Sequence, residues 1–171
     1  MAILVLNWNN YEDTAECLHS LNQVEYPNFK VIVIDNGSTD GSGKKLESKF
    51  EWCEFIFNEE NKGYTAGNNV GIEKALREGA DLVTLLNNDV IVDSKFLHPL
   101  VETVTKEPNV GAVGPLILGC DGSIESFGGK INMWTGSHHF PHHGKDPTNV
   151  DLRENLVGYL SGACLLVDSE V

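Results

Sequence analysis

The sequence predicts an α/β fold: a mostly parallel sheet flanked by helices, with a small antiparallel element near the C-terminal end. Three observations predict it. Apolar runs at Ile3–Leu6, Phe29–Ile34, Cys53–Phe57 and Asp81–Leu86 alternate with helix-like segments, the pattern of successive βαβ units. Each run stops at small polar or acidic residues: Asn7-Trp8-Asn9-Asn10, Asp35-Asn36, Asn58 and Asn87-Asn88-Asp89. After Gly119 the alternation gives way to a hairpin signal and a stretch rich in Gly, His and Pro.

Taken in order, Ile3–Leu6 is a buried strand feeding a helix over Tyr11–Leu21, capped by Asn9 or Asn10. Tyr11, Ala15, Leu18 and Leu21 fall on its inner face and Glu12, Asp13 and Glu16 outside. Tyr26-Pro27-Asn28 breaks it. Phe29–Ile34 is the second strand, Lys44–Phe50 a short amphipathic helix and Cys53–Phe57 the third strand. Gly63–Asn69 opens a helix with Val70, Ile72 and Leu76 as its apolar side, ending near Gly79.

Asp81–Leu86 is the fourth strand, and Ser94 is expected to cap a helix holding Phe96, Leu97, Leu100, Val101 and Val104. Val110–Leu118 reads as a strand interrupted at Gly114-Pro115, and Asp121-Gly122 as a hairpin turn. Phe127–Asn149 lacks periodicity and is expected to be a long functional loop with a small antiparallel element. Tyr159–Val167 restores a strand. Asp168-Ser169-Glu170 looks like the start of another helix, so residues 1–171 read as one domain cut from a longer protein.

Bulk properties remove several functions. A net charge of −13 disfavours nucleic acid, and an anionic bilayer as a partner for the surface as a whole. No run approaches the length of a transmembrane segment, and no basic region precedes the first apolar stretch. The expected location is the cytoplasm, with peripheral contact at the inner face of the membrane left open. Cys17, Cys53, Cys120 and Cys164 are widely spaced in apolar surroundings, which suits reduced thiols better than disulfides or zinc.

Two nucleotide motifs nearly fit and fail. Gly37 to Lys44 resembles a P-loop, but five residues separate Gly37 from Gly43 and Lys45 stands where Ser or Thr is required. Gly41-Ser42-Gly43 hints at a dinucleotide fingerprint, yet Leu46 occupies the third glycine position. The histidines between His138 and His143 invite a metal, although solvated histidines are commoner in such a loop.

What does fit is the set of strand ends. Parallel strands in right-handed βαβ units bring Asn7, Asn9, Asp35, Asn36, Asn58, Asn61 and Asn87-Asn88-Asp89 to one sheet edge. A buried carboxylate at Asp35 accepts a base imide N–H and discriminates uracil or thymine from cytosine; the alternative is that Asp35 only caps the following turn. A nucleoside diphosphate entering a protein this acidic needs its charge neutralised. A divalent ion held by Asp89 would do so, and oxygen ligands suit Mg²⁺ or Mn²⁺.

Five ordered blocks, NWNN, VIVIDNGSTDGS, NKGYTAGNNVGI, LLNNDV and SGACLLV, span nearly the whole chain. Together they resemble the family-2 glycosyltransferases, most closely the rhamnosyltransferase-like branch of surface-polysaccharide assembly. The resemblance implies a GT-A, Rossmann-like fold, a nucleotide-diphosphate-sugar donor, a divalent metal and inversion at the anomeric carbon. By position it places Asn7 and Asn9 beside the base and ribose, Asp35 on the base imide and Asn36 in the wall of that pocket. It also places Asn68 by the nucleotide, Asn88 and Asp89 in a D-x-D-like turn near ribose and metal, and Ser161-Gly162-Ala163 on the acceptor side of the donor sugar.

Asn87 replaces the first Asp of that turn, leaving Asp89 as its one carboxylate for the metal. The family's general base lies in a Glu-Asp motif beyond the SGACLLV block, so the catalytic residue and the acceptor portion are expected past Val171. Glu170 stands too close to that block to serve. The expected partners are a UDP- or dTDP-linked sugar and a saccharide or lipid-linked acceptor. Rhamnose, galactofuranose and N-acetylglucosamine donors all stay open, as does oligomeric state, a homo-oligomer included. Two competing readings are a sugar-1-phosphate nucleotidyltransferase and a non-catalytic nucleotide-binding module. The first wants a Gly-rich basic signature after the first strand, and Asn7–Tyr11 has no Gly, Lys or Arg.

Overall fold

Ile3 and Val5 bury on one side of the first strand and Ala2 and Leu4 on the other, and none has exposed surface. A strand buried on both faces requires cover above and below. The computed structural model, which describes all 171 residues, supplies it with β1 (Ala2–Asn7), α1 (Tyr11–Leu21), β2 (Lys30–Asp35), α2 (Ser42–Lys49), β3 (Glu54–Phe57), α3 (Gly63–Arg77), β4 (Leu82–Leu86) and α4 (Leu97–Lys106). Short strands follow: β5 (Ala112–Val113), β6 (Ile117–Leu118), β7 (Ile124–Ser126), β8 (Lys130–Ile131) and β9 (His138–His139), then the longer β10 (Cys164–Asp168).

The main sheet has the order β3-β2-β1-β4-β10-β5. β1 to β4 are parallel, with Asn7 in register with Asp35 and Asp35 with Phe57. β10 runs antiparallel to both β4 and β5. Successive strands step outward from β1 to β3, and the chain then crosses to place β4 on the other side of β1. The carboxyl edge between β1 and β4 is therefore a topological switch point, where ligands of open α/β sheets bind.

One face carries α1, α2 and α4, through Leu18, Leu21, Leu46, Leu97 and Leu100. Each fully buried leucine contributes about 1.5–3 kcal/mol relative to exposure. The other face is covered by α3, and here the expected packing is corrected. Of the three residues expected there, Ile72 packs half-buried against the core, Val70 is half-buried and Leu76 is exposed, while Gly67, Gly71 and Ala75 bury. A Cβ at Gly71 would lie 2.8 Å from Ile34 Cδ1, and one at Gly67 the same distance from Leu6 Cδ1. The bulky strand residues fill the interface, so the helix approaches on its smallest side.

Other differences are local. Ser94 does not cap α4, which starts at Leu97; its hydroxyl reaches Glu25, and Asp93 caps a preceding turn through Lys95 N–H. The interrupted strand divides, β5 joining the main sheet and β6 pairing with β7 around Asp121-Gly122, as the hairpin signal predicts. Tyr159 stands outside β10, in an isolated bridge to Gly129, and Ser169-Glu170 form a turn. The antiparallel element expected in Phe127–Asn149 is present, as the hairpin β8–β9. At the amino edge, Lys30 and Lys74 pair with Glu54 and Glu78, tying β2, β3 and α3 together. No helix is long and apolar enough to cross a membrane.

Candidate functional site

Asp35 ends β2 almost fully buried, and its surroundings aim it. Asn7, in register on β1 and without exposed surface, donates from Nδ2 to Asp35 Oδ1 at 2.7 Å. The same amide nitrogen lies 3.2 Å from Ser38 Oγ and 3.1 Å from Ser42 Oγ, while Asn7 Oδ1 accepts from Thr14 Oγ1 at 2.9 Å. Asp35 Oδ2 accepts the Ser38 backbone N–H at 3.2 Å. Two acceptor oxygens with one donor apiece leave lone pairs for a ligand.

Asn7, expected beside the base and ribose, spends its side chain on Asp35, Ser38, Ser42 and Thr14. Asn9 is exposed with φ of 50°, a left-handed conformation that asparagine tolerates. Its Oδ1 accepts the Thr39 and Asp40 N–H groups, folding the β2–α2 loop against the end of β1. Asn36 spends its amide on a staple: Oδ1 accepts from Asn58 Nδ2 and Lys62 N–H, and Nδ2 donates to Asn61 Oδ1 and Gly63 O. That joins the loops after β2 and β3 to the start of α3. Gly37 lets the two loops touch, since a Cβ there would lie 2.5 Å from the Glu60 carbonyl carbon. Asn68 sits buried in α3, donating to Tyr64 O.

Across the switch point, β4 ends in the Asn87–Asp89 turn. Asn88 donates to Thr14 Oγ1 at 2.8 Å, so Thr14 links this turn to Asn7 and through it to Asp35. Asp89 is exposed. Because β10 is antiparallel to β4, the residues before it, Ser161-Gly162-Ala163, arrive at the same edge; Asn87 N–H donates to Ala163 O at 2.9 Å. Tyr64 closes the arrangement, with its hydroxyl 3.2 Å from both Asn87 Oδ1 and Gly162 O. Burial pushes its phenol pKa up, keeping it a donor at neutral pH.

Asn7, Asn9, Asp35, Asn36, the Asn87–Asp89 turn and Ser161–Ala163 therefore lie along this edge, with Asn68 in the second turn of α3. Sequence reasoning missed Thr14, Ser38, Ser42 and Tyr64, which orient the others. No cluster of three or more His, Cys, Asp or Glu capable of holding a metal is present, at the edge or among the histidines of the β8–β9 region. A lone exposed carboxylate at Asp89 fits a hard divalent ion that brings its remaining ligands as phosphate oxygens and waters. It does not fit a resident structural metal.

The parallel sheet and the appended antiparallel strands are those of the GT-A fold. TarS of S. aureus in complex with UDP-GlcNAc matches at a TM-score of 0.56 and 21% identity, over 63% of this chain and 31% of that one. The mannosyltransferase PcManGT from Pyrobaculum calidifontis, in complex with GDP-Man and Mn²⁺, matches at 0.58 and 23%, over 69% and 35%. The model for Glycosyl transferase family 2 matches residues 2–171, and the chain belongs to that family. N-acetylglucosaminyl-diphospho-decaprenol L-rhamnosyltransferase of Mycobacterium tuberculosis is 30% identical over 156 residues, 80% of this chain and 51% of that protein. Poly-beta-1,6-N-acetyl-D-glucosamine synthase of Staphylococcus epidermidis is 27% identical over 158 residues, 80% and 38%. The chain thus spans about half or less of the length of these two curated relatives.

Proposed function

We propose that the chain is the donor-binding portion of an inverting glycosyltransferase. It takes a UDP- or dTDP-linked sugar whose residue passes to a saccharide or lipid-linked acceptor in cell-surface glycan synthesis, on the cytoplasmic side. The observation that carries this is the aimed carboxylate: Asp35, fixed by Asn7 and Ser38, at the edge shared with the Asn87–Asp89 turn. Asp35 receives the imide N–H of the base, and Asn9 and Asn88 flank the ribose. Ser161-Gly162-Ala163, held to Asn87 and Tyr64, line the sugar side.

Asp89 would hold Mg²⁺ or Mn²⁺, which supplies neutralisation of the charge on the diphosphate. The general base that takes the acceptor's proton is assigned to the part of the protein beyond Val171. Membership of the family and the names of its relatives support transfer over nucleotide-sugar synthesis or mere binding.

Thermal-shift titration with UDP, dTDP, GDP and NAD, each with and without Mn²⁺, tests the reading. Ligand at about a hundred times its dissociation constant stabilises a fold by roughly 2.7 kcal/mol. The expected result is a shift with UDP or dTDP that is larger with Mn²⁺, loses that increment in Asp89→Ala and disappears in Asp35→Ala. GDP belongs in the panel because a carboxylate also accepts guanine N–H groups. A shift with GDP alone would overturn the base assignment, and no shift with any nucleotide would overturn the site.

A further inference from the structure

The longest stretch of the chain without Asp or Glu is residues 126–145, and it holds Lys130, Lys145 and four of the six histidines. In a protein of net charge −13 this segment is neutral or positive throughout. Lys130–His139 within it form the β8–β9 hairpin, whose tip is apolar, and the turn that follows is tied to Ile124 of β7 through Gly144 and Lys145. Met133 is 87% exposed and Trp134 98%, more than any other large hydrophobic residue except Leu156 at 90%.

The tip is a built turn. Asn132 Oδ1 accepts the Trp134 N–H at 2.9 Å, and the Ser137 carbonyl accepts Asn132 N–H at 2.9 Å. Asn132 O accepts from Gly136, which takes the left-handed φ of 67° that closes the turn. Both large side chains are left outside it. At the base, Gly129 and Gly158–Tyr159 exchange backbone hydrogen bonds at 2.8 and 3.0 Å, and Phe140 packs edge-on against Tyr159 at 5.6 Å. Tyr159 stands two residues before Ser161, so the hairpin is bound to the segment that forms the sugar side of the candidate site.

We infer that this hairpin docks the protein on an anionic lipid surface, with Met133 and Trp134 entering the headgroup–acyl boundary. Tryptophan suits that boundary because its ring is apolar and its indole N–H is polar. Lys130 on the hairpin and Lys145 in the turn that follows it supply attraction to anionic headgroups within a stretch that holds no Asp or Glu. The −13 average does not forbid this. At physiological ionic strength charges are screened beyond about 8 Å, so the bilayer meets the hairpin and not the whole protein. Docking here would set the edge carrying Ser161–Ala163 near the plane in which the head of a lipid-linked acceptor lies. The lipid contact does not depend on the transferase reading, and the acceptor geometry rests on it.

Co-sedimentation with vesicles of phosphatidylcholine, alone and mixed with phosphatidylglycerol, tests the inference. The chain is expected to sediment with the mixed vesicles, and Met133→Ser/Trp134→Ser to partition at least about tenfold less. Lys130→Glu/Lys145→Glu is expected to fall to the level seen with phosphatidylcholine alone. In a Trp8→Phe/Trp52→Phe background, Trp134 emission is expected to shift to the blue when mixed vesicles are added. Equal sedimentation of wild type and Met133→Ser/Trp134→Ser, or none by either, would overturn it. So would Trp134-dependent self-association in sedimentation velocity without lipid, which would assign the tip to a second copy. UDP binding by Met133→Ser/Trp134→Ser reads the nucleotide site separately, so the two proposals fail distinguishably.

Discussion

Gly43 lies directly behind the carboxylate of Asp35: a Cβ on Gly43 would sit 2.4 Å from Asp35 Cγ and 2.6 Å from its Oδ1. The first turn of α2 therefore approaches the end of β2 as closely as a backbone can. Asp35 is held from that side by the absence of a side chain and from the other by Asn7. Gly43→Ala must push the carboxylate off its position, since Asp35 is a short side chain with no room behind it. UDP affinity measured by calorimetry should fall at least tenfold, the loss expected when one or more hydrogen bonds to a charged group are misaligned. An unchanged affinity would show that Asp35 does not meet the base.

Asn7→Ala removes the group that joins Asp35, Ser42 and Thr14 below the surface. Buried polar groups left without partners cost about 1–3 kcal/mol each. Urea unfolding should show a loss of several kcal/mol, with UDP affinity falling as well. Asn7→Asp is the sharper variant, because it places a second buried carboxylate against Asp35. Like charges disfavour ionisation, so that variant's stability should fall as pH rises through and above the carboxylate range.

The core thiols make a prediction in the opposite pH region. Burial pushes Cys17 and Cys164 each up to about 12, with the Asp89 carboxylate adding to the effect at Cys17. An acid whose folded pKa lies above its unfolded value stabilises the fold fully below the unfolded value, near 9, and loses that contribution as pH rises towards 12. Stability should therefore decline between those limits, and less steeply in Cys17→Ala/Cys164→Ala. At pH 8 a thiol reagent should modify Cys120, which is exposed, well before Cys17 or Cys164.

The strand ends were legible because an apolar run that stops at Asn or Asp announces both a strand and its functional edge. Asp35 and the Asn87–Asp89 turn follow from that pattern alone. Thr14 and Ser42 did not, because a hydroxyl on a helix has no sequence signal until the fold brings it beside a strand end 7 or 35 residues away. The inner face of α3 misled for a different reason. Hydrophobic periodicity points to Val70, Ile72 and Leu76; Ile72 does pack against the core, but where the helix comes closest to Leu6 and Ile34 it presents Gly67 and Gly71, with Ala75 a turn further on. Close approach is written in small residues, which carry almost no hydropathy.

That close approach is itself testable. Gly71→Leu would set a branched side chain where a single Cβ already meets Ile34 Cδ1 at 2.8 Å and Leu4 Cδ1 at 3.1 Å. Overpacking of this kind costs about 1–3 kcal/mol. The displaced α3 would carry Tyr64 and Asn68 with it, so UDP binding should weaken together with stability. Leu76→Ala, at a position the sequence pattern assigns to the core, should change urea stability by less than about 0.5 kcal/mol, as exposed substitutions do.

Tyr64→Phe isolates the contact that spans the mouth of the site. The hydroxyl lies 3.2 Å from Asn87 Oδ1 and 3.2 Å from Gly162 O, so one proton is shared between the β4 turn and the strand that returns antiparallel to it. Removing it keeps the ring and its packing, and the partners remain close enough to solvent to recover water. Stability should fall by about 0.5–1.5 kcal/mol, the net value of an ordinary hydrogen bond. The informative readout is the donor: under the proposed function a UDP-sugar would meet both the Asn87 side and the Gly162 side, whereas UDP alone would meet only the first. Tyr64→Phe should therefore weaken binding of UDP-GlcNAc more than binding of UDP, whichever sugar the protein prefers. Equal losses for the two ligands would mean that Tyr64 supports the nucleotide alone and that Ser161–Ala163 lie outside the sugar's reach.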